Sequence, residues 1–584
     1  MLGALATPLA APSVRAQGST QSRGPNDADF VFRNGPVFTA GDDQLWAKAV
    51  AVRDGAIIHV GEEAGLEGRI GPLTRTVDLA GKLLLPGFVE GQIHPVVGSI
   101  LTQGINVQYA TREDTLQALA EWRDKLGKVD AVRGFGWRYS AFDQNGPNKA
   151  DLDALWPDTP VVLLSSDMHA GWVNSAALAR AGMGRDTPDP APGYSFFARD
   201  KTGDLTGFVI ELPALMQVME RATPVTVPLV ASALEEWMPK AAAEGITALF
   251  DGGIQLIPDK DGHDLYDAME KARHLPCRIV GCHNFYKPDE DPLPFLRRQR
   301  DRSRTELIRA GVLKMILDGR ETQYTAAMQT PYSDRPATSG KLLLNPGLAR
   351  DVMLRADAEG FDVVFHAAGD YAVQVALDTV AAAIKANGKR DRRHTIANLT
   401  IVSDEDISRF ADLGVIAQFS AQGAAPDAFW QKVTQPRWGA ERAARTYPIG
   451  SLLRAGVTVT FGTDWPEMSH RTTYRPLDAI EIAVTRCQIG NTDQEPLAPA
   501  GEAIKLEEAV RASTLSAARQ LRLDSKVGSI EMGKRADLVV LDRNIFDGPA
   551  SQIHEAKVQM TLMNGVVRYE RSSGLTLPVL PVKK

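Results

Sequence analysis

The sequence predicts an α/β protein built on a (β/α)8 barrel of the TIM type, with a small β-domain assembled from both ends of the chain. Three observations support this prediction. Eight short apolar segments with polar ends run through the middle of the chain, and helical patterns separate most of them. Both ends are instead rich in short strands and hairpin turns. A long stretch, residues 105–225, interrupts the alternation after the first segment.

The composition narrows the functional classes. The chain has 584 residues, of which 44% are hydrophobic and 23% charged, as in an ordinary globular protein with a large core. A net charge of −7 does not indicate the basic surface that nucleic-acid-binding proteins use. No uncharged apolar run reaches the roughly 20 residues that cross a bilayer. Three cysteines predict no disulfide framework. We therefore expect a small-molecule substrate, and we leave homo-oligomerisation open.

Residues 1–27 precede the first predicted strand. Residues 1–16 are rich in Ala, Leu and Pro, contain no acidic residue, and end in small residues of the kind that signal peptidase recognises. A basic start is missing, so a flexible tail on a cytoplasmic protein is the alternative. We predict an export signal and a periplasmic location, with residues 17–27 as a disordered linker.

The two ends of the chain predict one β-domain. Residues 28–85 contain three short strands separated by Asn-Gly and Asp-Gly, dipeptides that favour hairpin turns because both residues tolerate positive φ. Residues 526–572 repeat this pattern, with a turn at Asn564-Gly565. A single domain built from both ends is a more economical interpretation than two separate edge hairpins. Residues 573–584 are predicted to be a tail.

The barrel is predicted to occupy residues 86–525. Its strands are expected at residues 83–89, 246–251, 278–284, 313–318, 363–366, 395–402, 415–420 and 458–464. The clearest helical patterns lie at residues 229–243, 264–272, 348–358, 371–386 and 404–413. Eight successive strand and helix units favour a (β/α)8 barrel, in which chemistry gathers at the carboxyl ends of the strands.

The interruption at residues 105–225 follows the first barrel strand, so we expect it to lie over the barrel mouth as a lid. Within it the sequence predicts one strand at residues 161–164 and one helix at residues 174–181. A segment between these two elements carries His169 and Trp172. We expect both side chains to contact substrate, although either could be structural.

Polar residues at the predicted strand ends suggest a metal site. His94, His366 and Asp464 follow the first, fifth and eighth strands, and a metal-assisted hydrolase needs ligands that converge in this way. Gln92 shares a strand face with His94, but an amide is a poor ligand for a transition metal. Lys314 sits in an apolar run. It is expected either to be carbamylated, and so to become a metal ligand, or to pair with Asp318 or Glu321.

These residues lie in motifs that resemble the amidohydrolase superfamily, in the branch (amidohydrolase family 3) that includes N-substituted formamide deformylases. The resemblance spans nearly all of residues 28–570 and is strongest at residues 85–90, 167–175, 314–319, 366–370, 462–466 and 528–538. It implies a barrel with a β-sandwich built from both ends. It also implies a hydrolase of non-peptide C–N bonds that uses zinc or another divalent metal.

The resemblance implies a two-metal site, and this chain departs from it twice. The family has His-x-His on the first strand and a histidine on the sixth strand, where this chain has Gln92 and Asn398. The carbamylated lysine, the fifth-strand histidine and the eighth-strand aspartate are present as Lys314, His366 and Asp464. Each ion thereby loses one imidazole, so we expect one ion, held by His94, carbamylated Lys314, Asp464 or His366. Two ions of a harder type, with Gln92 and Asn398 as oxygen ligands, and a metal-free site are the alternatives.

Three functional hypotheses follow. The first is a hydrolase in which Asp464 is the general base for metal-activated water and His169 polarises the substrate carbonyl. The alternative is a metal-poor lyase or isomerase that uses Lys314 and Asp464 for proton transfer. A non-catalytic binding protein is the least favoured interpretation. Substrate contacts are predicted for Trp172, Glu211, Arg320, Tyr324 and Trp465.

Overall fold

The computed structural model describes residues 23–143, 145–467, 473–491 and 493–571. The predicted export signal and the predicted tail at residues 573–584 lie outside these ranges. Among the described helices, none combines the length and the apolarity that crossing a membrane requires.

Eight parallel strands form the barrel and pair with their neighbours in chain order, as predicted. We label them β1 to β8: Phe88–Ile93, Ile246–Asp251, Arg278–Phe285, Ile308–Ile316, Asp362–His366, Thr395–Ala397, Ile416–Phe419 and Val459–Phe461. Two backbone hydrogen bonds join the last strand to the first. Asp464 N–H donates to Gln92 O (2.8 Å), and His94 N–H donates to Trp465 O (2.8 Å). These bonds bring the ends of β8 and β1 together at the barrel mouth.

The first predicted strand, residues 83–89, is wrong as a single element. The chain divides at Gly87, with Leu84–Pro86 in a sheet outside the barrel and β1 beginning at Phe88. A Cβ at Gly87 would lie 2.2 Å from Thr247 Oγ1, so only glycine allows the two sheets to meet here. The apolar run continues through both strands because both are buried on their two faces.

Helices cover the outside of the barrel and bury their apolar faces against it. The observed helices are Pro95–Leu101, Val227–Ala243, Asp259–Lys271, Leu293–Arg302, Pro346–Ala358, Asp370–Asn387, Asp404–Leu413, Ile449–Arg454, Pro476–Thr485, Leu506–Ala512 and Leu515–Gln520. The longest, Asp370–Asn387, shows the periodicity that predicts it: Val373, Ala376, Leu377 and Val380 are fully buried. It ends at Gly388, whose φ of 73° suits a residue without a side chain.

Strands from both ends of the chain form a β-sandwich, as predicted. One sheet contains Phe30–Arg33, Ala49–Arg53, Ala56–Gly61 and Arg75–Asp78. The other contains Val37–Phe38, Trp46–Ala47, Leu84–Pro86, Leu538–Leu541, Val558–Met563 and Val566–Glu570. The two ends meet where Leu84–Pro86 pairs antiparallel with Leu538–Leu541.

The insertion is more ordered than its sequence predicts, because it contains a six-stranded sheet of its own. The strands are Ile105–Asn106, Val132–Trp137, Val161–Ser165, Ala170–Val173, Phe196–Arg199 and Leu205–Ile210. Four helices accompany them: Arg112–Leu126, Lys149–Asp153, Ser175–Ala181 and Leu212–Ala222. None of the other five strands has a run of four large apolar residues like that of residues 161–164, which explains why the sequence indicates only that one.

A buried ion pair joins the barrel to the sandwich. Arg278, the first residue of β3, donates to Asp537 through Nε (3.0 Å) and Nη2 (3.2 Å), and both side chains are 1% exposed. Asp537 also accepts from the N–H of Asn564 (2.8 Å). The pair holds the C-terminal strands against the base of the barrel.

Replacing Arg278 with Met should lower the free energy of unfolding by about 3–5 kcal/mol, because it leaves Asp537 charged and buried without its partner. Guanidinium unfolding followed by circular dichroism measures this loss. As a control, Lys240→Ala removes the exposed pair with Glu236 and should cost about 1 kcal/mol or less. Equal effects of the two substitutions would contradict the role given to the buried pair.

Candidate active site

Asp464 lies just beyond β8 at the centre of the barrel mouth, and two amides hold its carboxylate. Gln92 Nε2 donates to Asp464 Oδ1 (2.7 Å) and to Asn398 Oδ1 (2.8 Å). Asn398 Nδ2 donates to Asp464 Oδ2 (2.7 Å). Because a carboxylate only accepts hydrogen bonds, both amides must face it through their NH2 groups. Gln92 and Asn398, predicted as metal ligands, therefore lie in the site as hydrogen-bond donors to Asp464.

His94 completes this arrangement and brings in a residue that the sequence analysis missed. His94 Nε2 lies 3.4 Å from Asp464 Oδ1 and 3.6 Å from Glu467 Oε1, and the three ligand atoms lie within 4.8 Å of one another. The other ring nitrogen, Nδ1, lies 3.3 Å from Gly253 O. A bound cation would need the proton on Nδ1, so that Nε2 could present its lone pair to the ion, as a metal-binding histidine does.

Glu467 was hard to find from the sequence because it lies on no strand end. It follows Asp464 by three residues in the loop after β8, and that proximity was the only signal. Its burial, together with the charge of Asp464, raises the pKa of the Glu467 carboxyl. Burial also raises the pKa of Asp464, but the hydrogen bond and charge of His94 and the charge of Lys314 outweigh it and lower that pKa. Two carboxylates thus share one small, buried space.

Lys314 is buried on β4 at 3% exposure, and its amine has neither a hydrogen bond nor an ion pair within the described residues. The pairing with Asp318 or Glu321 that the sequence left open is not formed. Asp318 instead accepts N–H groups from Ala327 (2.9 Å), Ala368 (3.0 Å) and Gly369 (2.9 Å). Burying an unpaired ammonium is costly, so the site must neutralise Lys314 or use it.

His366 ends β5 and faces the same space. Neither of its ring nitrogens forms a hydrogen bond with the described residues, although Nδ1 lies 3.5 Å from Asp318 Oδ1. Burial and the neighbouring charges of His169, Lys314 and Arg320 lower the pKa of His366 well below its usual value. The imidazole is therefore neutral, with a lone pair available for a ligand or a proton.

His169 reaches the barrel mouth from the insertion. Its Nδ1 lies 2.7 Å from Glu211 Oε2, and its ring centroid is 5.6 Å from that of His366. Thr325 donates to the other Glu211 oxygen and so orients the carboxylate. Burial lowers the pKa of His169, but the charge and hydrogen bond of Glu211 raise it further, to about 9. His169 is thus a cation held beside the neutral His366.

Arg320 and Tyr324, both predicted substrate contacts, line two cavities that meet at Thr322. Arg320 is buried, with Nε 3.7 Å from Glu321 Oε2, in a cavity that also contains Asp167 and Trp430. Tyr324 lies in the wider cavity beneath the insertion, where its OH donates to Asp334 Oδ2 (2.8 Å). Two guanidinium groups, from Arg335 and Arg437, lie 4.5 Å from its ring centroid.

The two predicted tryptophan contacts lie in hydrophobic cores. Trp172 is 0% exposed in the core of the insertion, and its indole N–H donates to Asn148 O (2.8 Å). Trp465 is 2% exposed and stacks on Trp237, with ring centroids 5.1 Å apart. Their neighbours in sequence, His169 and Asp464, do face the site. Both tryptophans therefore pack directly beside site residues.

Residues 75–569 match the amidohydrolase family. The chain belongs to that family. This amidohydrolase is accordingly a hydrolase of carbon–nitrogen bonds other than peptide bonds. It is 27% identical to the N-substituted formamide deformylase of Arthrobacter pascens over 93% of its own length and 99% of that protein. It is 29% identical to the protein LONG AFTER FAR-RED 3 of Arabidopsis thaliana, over 93% and 92% of the two chains.

A solved structure supports the fold of this amidohydrolase. An uncharacterised metal-dependent hydrolase from Pyrococcus horikoshii superposes with a TM-score of 0.67 at 21% identity. The similarity covers 89% of this chain and 99% of the other. The barrel, the sandwich and the insertion thus belong to one shared architecture.

In this amidohydrolase, Glu211→Gln should lower the pKa of His169 by about two units or more, to its ordinary value near 6.5 or below. The substitution removes the negative charge that favours the imidazolium, while burial still opposes it. NMR titration of the histidine Cε1–H signals measures the change. Asp259→Asn breaks the similar pair with His283 and should leave His169 unchanged. A His169 pKa that stays near 9 in Glu211→Gln would contradict the assignment.

Proposed function

We propose that this amidohydrolase cleaves a small, non-peptide amide with the help of one divalent metal ion, and that the ion is zinc. The observation that carries the proposal is the buried convergence of His94, Asp464 and Glu467. A mixed set of imidazole and carboxylate donors suits zinc, and three protein ligands leave a position for water. The deformylase named among the relatives supports an N-substituted formamide, or a similar N-acyl amine, as the substrate.

The amide side chains of Gln92 and Asn398 support a single ion in the site. Asp464 already receives one N–H from Gln92 and one from Asn398, and neither amide turns its oxygen towards the carboxylate. An imidazole in either position would offer a lone pair, whereas an NH2 group repels a cation. This supports one ion at His94, Asp464 and Glu467, and it leaves His366 without the partner ligand that a second ion needs.

Lys314 is proposed to be carbamylated. The buried ammonium would lose one proton, and the resulting amine would add to carbon dioxide and release a second proton, which replaces a cation with a carboxylate. The supporting observation is that the amine is buried and unpaired among the described residues. The change would also remove the positive charge that lowers the pKa of Asp464. Asp464 would then be a stronger base.

A bound zinc ion would polarise the substrate carbonyl and acidify a water molecule. Residues of the chain transfer the protons and stabilise the developing charge. Asp464, fixed by Gln92 and Asn398, accepts the proton of the attacking water and delivers it to the leaving amine. His169, kept protonated by Glu211, donates a hydrogen bond to the carbonyl oxygen as negative charge develops on it. Both groups are held in place before substrate arrives.

The substrate is proposed to enter through the cavity of about 720 Å3 between the insertion and the barrel loops. Aromatic rings of Phe142, Phe208 and Tyr324 form part of its wall. This cavity meets the smaller one around Arg320 at Thr322. An apolar or aromatic substituent on the amide nitrogen fits these walls.

Purified enzyme should release amine and carboxylate from a panel of N-substituted formamides and N-acyl amines. His94→Ala should lower kcat/KM by about a thousandfold or more, because it removes a ligand of the ion that activates water. Chromatographic detection of the free amine measures turnover. His283→Ala is the matched control. His283 also lies on a barrel strand, but it pairs with Asp259 outside the cluster, so activity should stay within about tenfold.

Removing zinc with a chelator tests whether the hydrolase depends on the metal. Activity should disappear when zinc is removed and return when zinc is added. Full activity in the chelated enzyme, with Lys314→Ala inactive, would instead favour the metal-free lyase or isomerase.

A further inference from the structure

A third cavity, the basal cavity, lies at the opposite end of the barrel from the candidate active site. Its volume is about 400 Å3, and it opens where β3, β4 and β5 begin. Residues 520–526, which follow the last helix of the barrel, close one side, and the end of the helix Leu293–Arg302 closes another. No step of the proposed hydrolysis uses this cavity.

The lining of this basal cavity is strongly cationic. Two carboxylates, those of Glu306 and Asp362, lie in its wall. Five cationic side chains also line it: Arg300, Arg304, Arg309, Arg522 and Lys526. This local excess of positive charge contrasts with the net charge of −7 on the whole chain. Clustered cations repel one another and are costly unless an anion is present.

Carboxylates lie beside three of the five cations, but Arg309 and Lys526 have no ion pair among the described residues. Asp362 pairs with Arg522, whose Nη2 donates to Asp362 Oδ1 (3.0 Å). Glu306 pairs with Arg535, which lies outside the cavity (2.7 Å between Glu306 Oε1 and Arg535 Nε). Arg309 donates only to a backbone oxygen, that of Arg522 (2.8 Å). Its guanidinium forms no ion pair within the part of the chain that the structure describes.

Two buried donors in the cavity wall lack acceptors. Ser303 is 1% exposed, and its hydroxyl forms no hydrogen bond among the described residues. Arg300 Nε is also buried without a hydrogen bond, and the nearest carboxylate, Asp301, lies 3.6 Å away. The Arg300 guanidinium is meanwhile fixed 4.3 Å from the centroid of the Phe361 ring. Buried donors are normally satisfied, so an acceptor is missing here.

We propose that this basal cavity is a binding site for a small oxyanion that carries two or more negative charges, as a pyrophosphate or a tricarboxylate does. Oxygen atoms of the anion would accept from Arg300 Nε and Ser303 Oγ, and its charge would neutralise Arg309 and Lys526. The volume admits a molecule of this size but not a macromolecule. The site is separate from the catalytic mouth, so the proposal does not depend on the proposed function.

Isothermal titration of the full-length enzyme at constant ionic strength tests the site, with pyrophosphate and citrate as separate probes. We expect saturable binding of one equivalent of at least one probe. Arg309→Gln and Ser303→Ala should each weaken it about tenfold or more, because each removes a donor to the anion. Arg298→Gln removes one arginine charge from the nearby helix Leu293–Arg302 outside the cavity, and it should leave the affinity unchanged. Stronger binding of one probe identifies phosphate or carboxylate as the ligand chemistry.

Three results would overturn the proposal. One is the absence of saturable binding at millimolar concentrations of either probe. Another is an equal loss of affinity in Arg298→Gln and Arg309→Gln, which would reflect general electrostatics. The third is loss of binding in His94→Ala, which would place the anion on the metal centre. Retention in that variant, with loss in Ser303→Ala, supports the basal site even if one arginine variant fails to fold.

Discussion

The meeting of β8 with β1 is the constraint on which the candidate site depends. Two backbone hydrogen bonds join the strands, and Gly462 makes the approach possible, since a Cβ there would lie 2.2 Å from Gln92 N. Asp464 follows with a φ of 56°, in the left-handed region that costs roughly 1 kcal/mol or more for a residue with a side chain. The hydrogen bonds from Gln92 and Asn398 offset that cost and direct the carboxylate into the mouth.

Charge explains why the remaining groups gather around Asp464. An ionised carboxylate at 0% exposure needs partners, and His94 and the two amides supply them. Glu467 adds a second carboxylate to the site, so a divalent cation would relieve the repulsion between the two. A carbamate on Lys314 would place a further negative charge beside that cation.

Much of this arrangement could be predicted from the sequence. Strand alternation placed Gln92 and His94 on one face, and the polar residues that follow apolar segments identified Lys314, His366 and Asp464. The short strands of the insertion could not be predicted, because they are set by pairing within a sheet rather than by a local pattern. Glu467 was missed since a loop, not a strand, brings it to the mouth. Trp172 and Trp465 lie in hydrophobic cores, which their sequence could not indicate, because an aromatic residue beside a site residue has the same pattern whether it packs or binds.

Gln92 and Asn398 stand where the family has metal-binding imidazoles, and both donate hydrogen bonds to Asp464 instead, which leaves a site for one ion. The most direct test is elemental analysis of zinc in the purified protein and in the double variant Gln92→His, Asn398→His. The account predicts one equivalent in the natural protein and two in the double variant, with both proteins folded by circular dichroism. Two equivalents in the natural protein, or one in both, would contradict it.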